Sequence, residues 1–337
     1  MTSVIRPAKE GDVTKLIGFF KEMYRPEHIT TGKDYLMWQY RDAAANRFYP
    51  DYSNLLLFDG EEIAGHLGLI PYVFEANGRK MKGAYLASGI LRKDLYGTGA
   101  GALLIKEAEK YFDLLYTTGY NQRIAPIYKL HNWSEEYFLK RWIYNNSGSA
   151  EVKNNPQIYK IQSFDHEWDA VWEKLKNNYK ITIDRSGKYL NWRFKDNPFV
   201  KYAILYAKSG GYIVLRKEDG DEFKACRIVD FIAGPDCALE LLCAAIDFIK
   251  KDKIDFLDFF CSSDMHGEAL ERAGFEIYNP EINPEPPIFI LPADRARTKI
   301  NFIYKFINPG LSNYKFQDWF VVKADGDKDR PSKNYVK

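Results

Sequence analysis

The chain has 337 residues, and at roughly 100–200 residues per domain that length suits two domains and excludes one small one. Its 48 Lys and Arg stand against 46 Asp and Glu, so the net charge of +2 belongs to a balanced surface; neither a nucleic-acid coating protein nor an acidic solvating tail is indicated. With 46% hydrophobic and 16% aromatic residues, the chain has ample material for a packed core and too much for disorder.

Residues 1–10 contain no apolar signal-peptide core, and no later stretch runs eighteen residues without charge, so neither secretion nor a membrane span is expected. After a helical start comes Tyr35-Leu36-Met37-Trp38-Gln39-Tyr40, which recurs as Tyr189-Leu190-Asn191-Trp192-Arg193-Phe194. The first copy leads to apolar runs at 55–58 and 63–70 around the turn Asp59-Gly60-Glu61-Glu62. The second leads to runs at 202–206 and 212–215 around Ser209-Gly210-Gly211. Each reads as two strands joined by a tight turn.

A strand and then a helix follow in both halves, 84–91 into 102–112 and 227–233 into 237–250. The pattern is duplicated α/β. The polar stretch Tyr144-Asn145-Asn146-Ser147-Gly148-Ser149 reads as a loop or linker, with the boundary between about 148 and 165 and domains at 1–150 and 160–337. Cys226, Cys237, Cys243 and Cys261 have neither metal-type spacing nor disulfide-scaffold density, so a reducing, cytoplasmic setting is expected. Asp325, Asp327 and Asp329 have the start of a calcium-loop spacing, but Arg330 stands where a turn glycine is needed and no downstream Glu follows, so no metal is expected. They read as a solvated tail, or as carboxylates tucked against an acceptor site by the strand-like lead-in Trp319-Phe320-Val321-Val322.

The most chemical segment is Tyr96-Gly97-Thr98-Gly99-Ala100-Gly101, between a strand and a helix. Alternating glycines let the backbone approach a ligand and turn N–H groups toward it, beside the donors of a helix N-terminus, which suits a pyrophosphate. It is not a P-loop, since Gly-Lys-Ser/Thr is missing, and it lacks dinucleotide-fingerprint spacing. On glycines alone a tight turn is as good a reading.

The segment resembles motif A of the Gcn5-related N-acetyltransferases, with Gly99 and Gly101 in register and Tyr96 where Arg or Gln is usual. Downstream, Leu114-Leu115-Tyr116-Thr117 is similar to that family's next strand. Asn121 and Tyr128 keep its seven-residue interval, Asn132-Trp133 replaces its Gly-Phe, and Pro126 departs from the pattern. The second half resembles the family only in outline: Gly234-Pro235-Asp236-Cys237 replaces the glycine-rich turn, while Ala273-Gly274-Phe275 keeps the ending. The resemblance implies a mixed-sheet α/β fold of two tandem domains of this type, the second degenerate and shaping the acceptor site. The whole chain, with Tyr189-Leu190-Asn191-Trp192-Arg193-Phe194 followed by Asp196-Asn197-Pro198 and the C-terminal Asp325-Gly326-Asp327-Lys328-Asp329-Arg330-Pro331, resembles tandem-domain acetyltransferase-like proteins of bacterial surface-polysaccharide pathways.

The family resemblance further implies acetyl-CoA in a cleft between two splayed parallel strands, with Ile90 and Leu91 beside the pantetheine arm and the N–H groups of Tyr96, Gly97, Thr98, Gly99, Ala100 and Gly101 on the pyrophosphate. Asn121 belongs to the same site, and Tyr128 would donate a proton to the leaving thiolate. Acceptor-side candidates are His66, Arg193 and Asp230. Asp230 is a carboxylate in an apolar strand, so it must be paired or face the cleft. Arg193 is its candidate partner or a guanidinium for an anionic acceptor, the structural pair being favoured. An isolated His is more often a hydrogen-bonded structural residue. The activity implied is acyl transfer to the primary amine of a small acceptor, such as a nucleotide-linked amino sugar. Competing readings are an aminoacyl-tRNA-dependent peptidyltransferase of cell-wall crosslinking, which the charge balance disfavours, and a non-catalytic scaffold.

Overall fold

The computed structural model describes residues 4–24, 28–146, 157–282, 285–290 and 293–330. In the first half, strand β1 (Val4–Ala8) and helix α1 (Val13–Met23) precede α2 (Lys33–Leu36). Strands β2 (Tyr52–Asp59), β3 (Glu62–Ala76) and β4 (Arg79–Leu91), helix α3 (Ala100–Glu109), β5 (Leu114–Thr118), α4 (Ala125–Leu130), β6 (Tyr137–Phe138) and β7 (Lys140–Asn145) follow. The second half runs β8 (Ile158–Ile161), α5 (His166–Leu175), β9 (Ile181–Ile183), α6 (Gly187–Leu190), β10 (Ala203–Ala207), β11 (Gly211–Asp219) and β12 (Lys224–Ala233). It continues through α7 (Pro235–Lys251), β13 (Phe256–Cys261), α8 (Gly267–Arg272), β14 (Glu276–Ile277), β15 (Phe289–Ile290), β16 (Ala293–Asp294), β17 (Asn301–Phe306) and β18 (Trp319–Phe320).

These elements follow the expected periodicities. In α1, Val13, Leu16, Phe19 and Phe20 form one buried stripe. Gly60, at φ 62, closes the β2–β3 turn. Gly83 is needed for packing, because a Cβ there would come within 2.5 Å of the Phe74 ring.

Two large sheets result, with the same plan, beside a small one of β15 and β16. One is ordered β1-β2-β3-β4-β5-β17-β6, with β9 beside the far end of β3 and β18 beside β9. The other is ordered β8-β10-β11-β12-β13-β7-β14. Along these two paths every neighbouring pair is antiparallel except β4 with β5 and β12 with β13, which are parallel and occupy the same place in each sheet. Each sheet takes strands from the other half of the chain: β17 lies beside β5, β9 and β18 join the first sheet at β3, and β7 lies beside β13. Tyr144 and Asn145 therefore belong to a strand rather than the expected loop. Most of the expected boundary lies outside the described residues.

The duplicated aromatic motif forms the seam. Each copy is one α-helical turn, α2 or α6, running into a π-helical turn, Met37–Arg41 or Asn191–Lys195. The indole of Trp38 donates to the Trp192 carbonyl at 3.1 Å and Trp192 donates to the Trp38 carbonyl at 2.9 Å, with the rings stacked at 5.5 Å. Reciprocal bonds between equivalent residues are what a local two-fold relation requires.

The C-terminal segment is not a solvated tail. Residues 319–327 and Asp329 are buried. Of the expected strand at 319–322, β18 covers Trp319–Phe320, and Val322 makes an isolated bridge with Cys261.

Candidate functional site

β4 and β5 pair only at Gly83 with Leu114, Ala84 with Leu115 and Tyr85 with Tyr116. Beyond that the strands part, and the Thr117 hydroxyl reaches the Leu86 carbonyl at 3.0 Å. The divergence has a local cause. The β3–β4 register shifts between His66 and Gly68, where β4 carries a bulge with Ser88 at φ 48, and a bulge bends its strand. The result is a wedge whose β4 side is the backbone leading to Ile90 and Leu91.

At its mouth, Gly97 and Gly99 take φ 77 and 86, and Gly99 caps α3. The turn uses part of its donor set internally: Tyr96 N–H bonds the Lys93 carbonyl, Thr98 N–H the Leu95 carbonyl, and Ala100 N–H the Thr98 hydroxyl. The alternate N–H groups of Gly97 and Gly99 have no partner among the described residues, and that of Gly101 is an orphan of the first helical turn. Of the six donors expected from sequence, these three are available to an anion. Tyr96 has an exposed side chain.

α4 completes this side. A Cβ on Gly101 would stand 3.6 Å from Leu91 and 3.8 Å from Ile127, so the end of β4, the start of α3 and α4 converge. Pro126 sits in the first turn of α4, where a missing N–H costs nothing, and Tyr128 packs in the same apolar cluster as Leu86, Ala100 and Leu104. Its ring meets Tyr120 and Trp133. Burial alone pushes its hydroxyl well above the usual tyrosine range. Asn121 is exposed and caps the turn Gln122–Ile124 through Arg123 N–H at 3.0 Å.

Asn132 stands where the resembling family has glycine. It adopts φ 57, tolerated by Asn better than by other side chains, and Trp133 N–H bonds the Tyr128 carbonyl at 3.1 Å. Gly274 at φ 89 and Phe275 N–H to the Leu270 carbonyl repeat this cap in the second half.

The acceptor-side candidates are held inside the protein. His66 is fully buried, with Nδ1 on the Ser88 carbonyl at 2.9 Å, so it fixes the bulge of β4. Burial lowers its pKa to about 4, against the opposing effect of that bond. The expected Arg193–Asp230 pair is not formed. Asp230 takes Arg185 at 3.2 and 3.3 Å and the Tyr212 hydroxyl at 2.7 Å, while Arg193 bonds the Ala324 carbonyl and Asp329. Both arginines lie in the second half, on either side of α6, and nothing local to Asp230 distinguishes them.

The C-terminal segment explains the second half. Ala324 N–H bonds the Val229 carbonyl at 3.0 Å, beyond the last paired residue of β12 with β13, Ile228. Val322 bridges Cys261 and Ser262 N–H bonds the Val321 carbonyl. The segment thus lies in the second wedge, and Pro235 stands at the start of α7 where the first half has its glycines. Its three aspartates then separate: Asp325 takes Arg185 at 2.8 Å, Asp329 takes Arg216 at 2.7 Å, and Asp327 reaches the first wedge. There Asp327 accepts from the Tyr85 hydroxyl at 2.7 Å, and that hydroxyl also lies 3.1 Å from the Thr118 carbonyl. Burial alone would raise its pKa, but Lys328 and Arg330 outweigh this and hold it at about 2. Sequence did not assign Tyr85, Lys328 or Arg330 to the site; the alternating aspartates were the only signal.

Among the described residues, no group of three or more His, Cys, Asp or Glu side chains could hold a metal ion, and no helix is long and apolar enough to cross a membrane. A cavity of about 450 Å³ opens on the seam between the motif copies, lined by Trp38, Asp42, Lys188, Trp192 and Asp196 among others. It is separate from the glycine-rich turn.

No protein-family model and no curated protein matches the chain. Solved structures do. A GCN5-related N-acetyltransferase from Anabaena variabilis matches with a TM-score of 0.62 at 11% identity, over 91% of this chain and 73% of that one. A GCN5-related N-acetyltransferase from Kribbella flavida gives 0.60 at 12% identity, over 91% and 71%. N-myristoyltransferase from Saccharomyces cerevisiae, solved with myristoyl-CoA, gives 0.53 at 9%, over 90% and 82%. The likeness is one of fold: mixed α/β with two mixed sheets, consistent with tandem domains of the acetyltransferase type, as the sequence resemblance implied.

Proposed function

We propose that the chain is a CoA-dependent acyltransferase that moves an acetyl group to the primary amine of a small acceptor, such as a nucleotide-linked amino sugar. The observation that carries this reading is the β4–β5 wedge with the free N–H groups of Gly97, Gly99 and Gly101 at its mouth. Those donors suit a pyrophosphate, and the unpaired edge of β4 beyond Leu86 offers backbone N–H groups to polarise a thioester carbonyl.

Tyr128, which keeps its proton at neutral pH, donates to the departing thiolate. Asp327, held at about 2, is too weak a base to take a proton from an ammonium; its part is to fix charge on the opposite face of the wedge. The second wedge is filled by residues 321–324, so one donor site per chain is proposed. The tandem-domain resemblance supports a place in surface-polysaccharide building.

The test is calorimetric titration of the full chain with acetyl-CoA, CoA and myristoyl-CoA. Micromolar binding is expected, lost in Gly99→Val, because an L side chain at φ 86 costs about 1–2 kcal/mol and turns the donors away. Tyr128→Phe is expected to keep binding and lower acetyl transfer to amino sugars about 100-fold. A wild-type chain that binds none of the three compounds has no donor site.

A further inference from the structure

At the open end of β5 two cations share one carboxylate. The Lys328 ammonium lies 3.1 Å from Asp327 and an Arg330 guanidinium nitrogen 3.5 Å from it. Asp327 is the only carboxylate within 4 Å of either among the described residues, and it already accepts the Tyr85 hydroxyl. The position is built. Gly119 has φ 57, and a Cβ there would stand 2.4 Å from Cε of Lys328, so the lysine stem lies directly on the backbone leaving β5. The Lys328 side chain is 14% exposed and that of Arg330 42%. Near Arg330, besides Asp327, stand the phenols of Tyr24, Tyr35 and Tyr85, uncharged at neutral pH, while Arg297, on the Lys328 side, has its own carboxylate in Asp294 at 3.8 Å.

This leaves an excess positive charge in a half-buried place, where charge is costly unless paired. The cluster lies with Tyr85, on the sheet face opposite the Leu86 and Tyr128 cluster that borders the glycine-rich turn. We propose that Lys328 and Arg330 hold an anionic group, a carboxylate or a phosphate, carried by the acceptor, whose amine is thereby directed toward the wedge. A guanidinium fork and an ammonium together suit either oxyanion. This inference rests on the acyltransferase reading for the word acceptor, but the anion site is testable alone.

The full chain is titrated calorimetrically with inorganic phosphate and with acetate, in the presence of excess CoA so that the glycine-rich turn is occupied. One anion per chain is expected, bound about 10-fold more weakly in Lys328→Met and in Arg330→Met, with partial recovery in Lys328→Arg. Circular dichroism verifies that each variant is folded; Arg330, the more exposed, is the variant least coupled to folding. Absence of anion binding, or binding unchanged in both Met variants, overturns the site. Failure of CoA to bind while phosphate binds and responds to the variants would defeat the donor reading and leave the anion site standing.

Discussion

His66 shows how burial decides the chemistry of a single residue. Its ring meets Phe20 at 4.7 Å, and because the Ser88 carbonyl can only accept, Nδ1 carries the proton. Nε2 is buried without a partner among the described residues. A histidine lowered from 6.5 to about 4 binds fewer protons folded than unfolded. Its stability contribution is therefore complete above about pH 6.5 and is lost as pH falls toward 4. His66→Asn, whose amide can still donate to Ser88, should narrow its stability gap to the wild type by about 2 kcal/mol between pH 7.5 and 5. Urea unfolding at both pH values measures this; parallel profiles would mean the ring is accessible to protons. His266, also lowered to about 4 by burial, remains in both proteins and cancels in the comparison.

Among the elements, β5 and β7 carry the clearest consequence. All five residues of β5 pair with β17, from Phe302 with Thr118 to Phe306 with Leu114, and all six of β7 pair with β13. A fragment of residues 1–150 would leave β5 with an open edge and β7 with no sheet, and exposed apolar edges promote aggregation. That fragment should give a poorly dispersed amide spectrum or aggregate, and co-expression with residues 157–337 should restore a folded complex. A monomeric, well-dispersed fragment would show that the strand exchange is dispensable.

Across the whole molecule, the C-terminal segment ties the two wedges together, and Arg185 is its central clamp. The guanidinium is fully buried between Asp230 of β12 and Asp325 of the segment, and its third partner is the Ile183 carbonyl. Arg185→Leu would strand two buried carboxylates, and removing one partner of a buried pair costs about 3–5 kcal/mol. The variant should show a loss of that order in denaturant unfolding, partly recovered by adding Asp325→Asn. A loss below about 1 kcal/mol, the scale of an exposed ion pair, would remove Arg185 from this role.

The duplication, the hairpins, the strand-turn-helix around Gly97, Gly99 and Gly101 and the spacing from Asn121 to Tyr128 were all legible in the sequence, because each depends on local periodicity, turn chemistry or backbone freedom within a few residues. Asn132 read only as a replacement for the resembling family's glycine; its cap at φ 57 came from the structure. Local sequence left open which distant strand pairs with β5 and whether Asp325, Asp327 and Asp329 face water, and it favoured Arg193 over Arg185 for Asp230. Those are choices among partners more than 40 residues apart, with many chemically equivalent candidates, since any arginine satisfies a buried aspartate equally well on paper. Only the packing of the two sheets around the seam selected Arg185 for Asp230, filled the second wedge with residues 321–324 and carried Asp327 into the first.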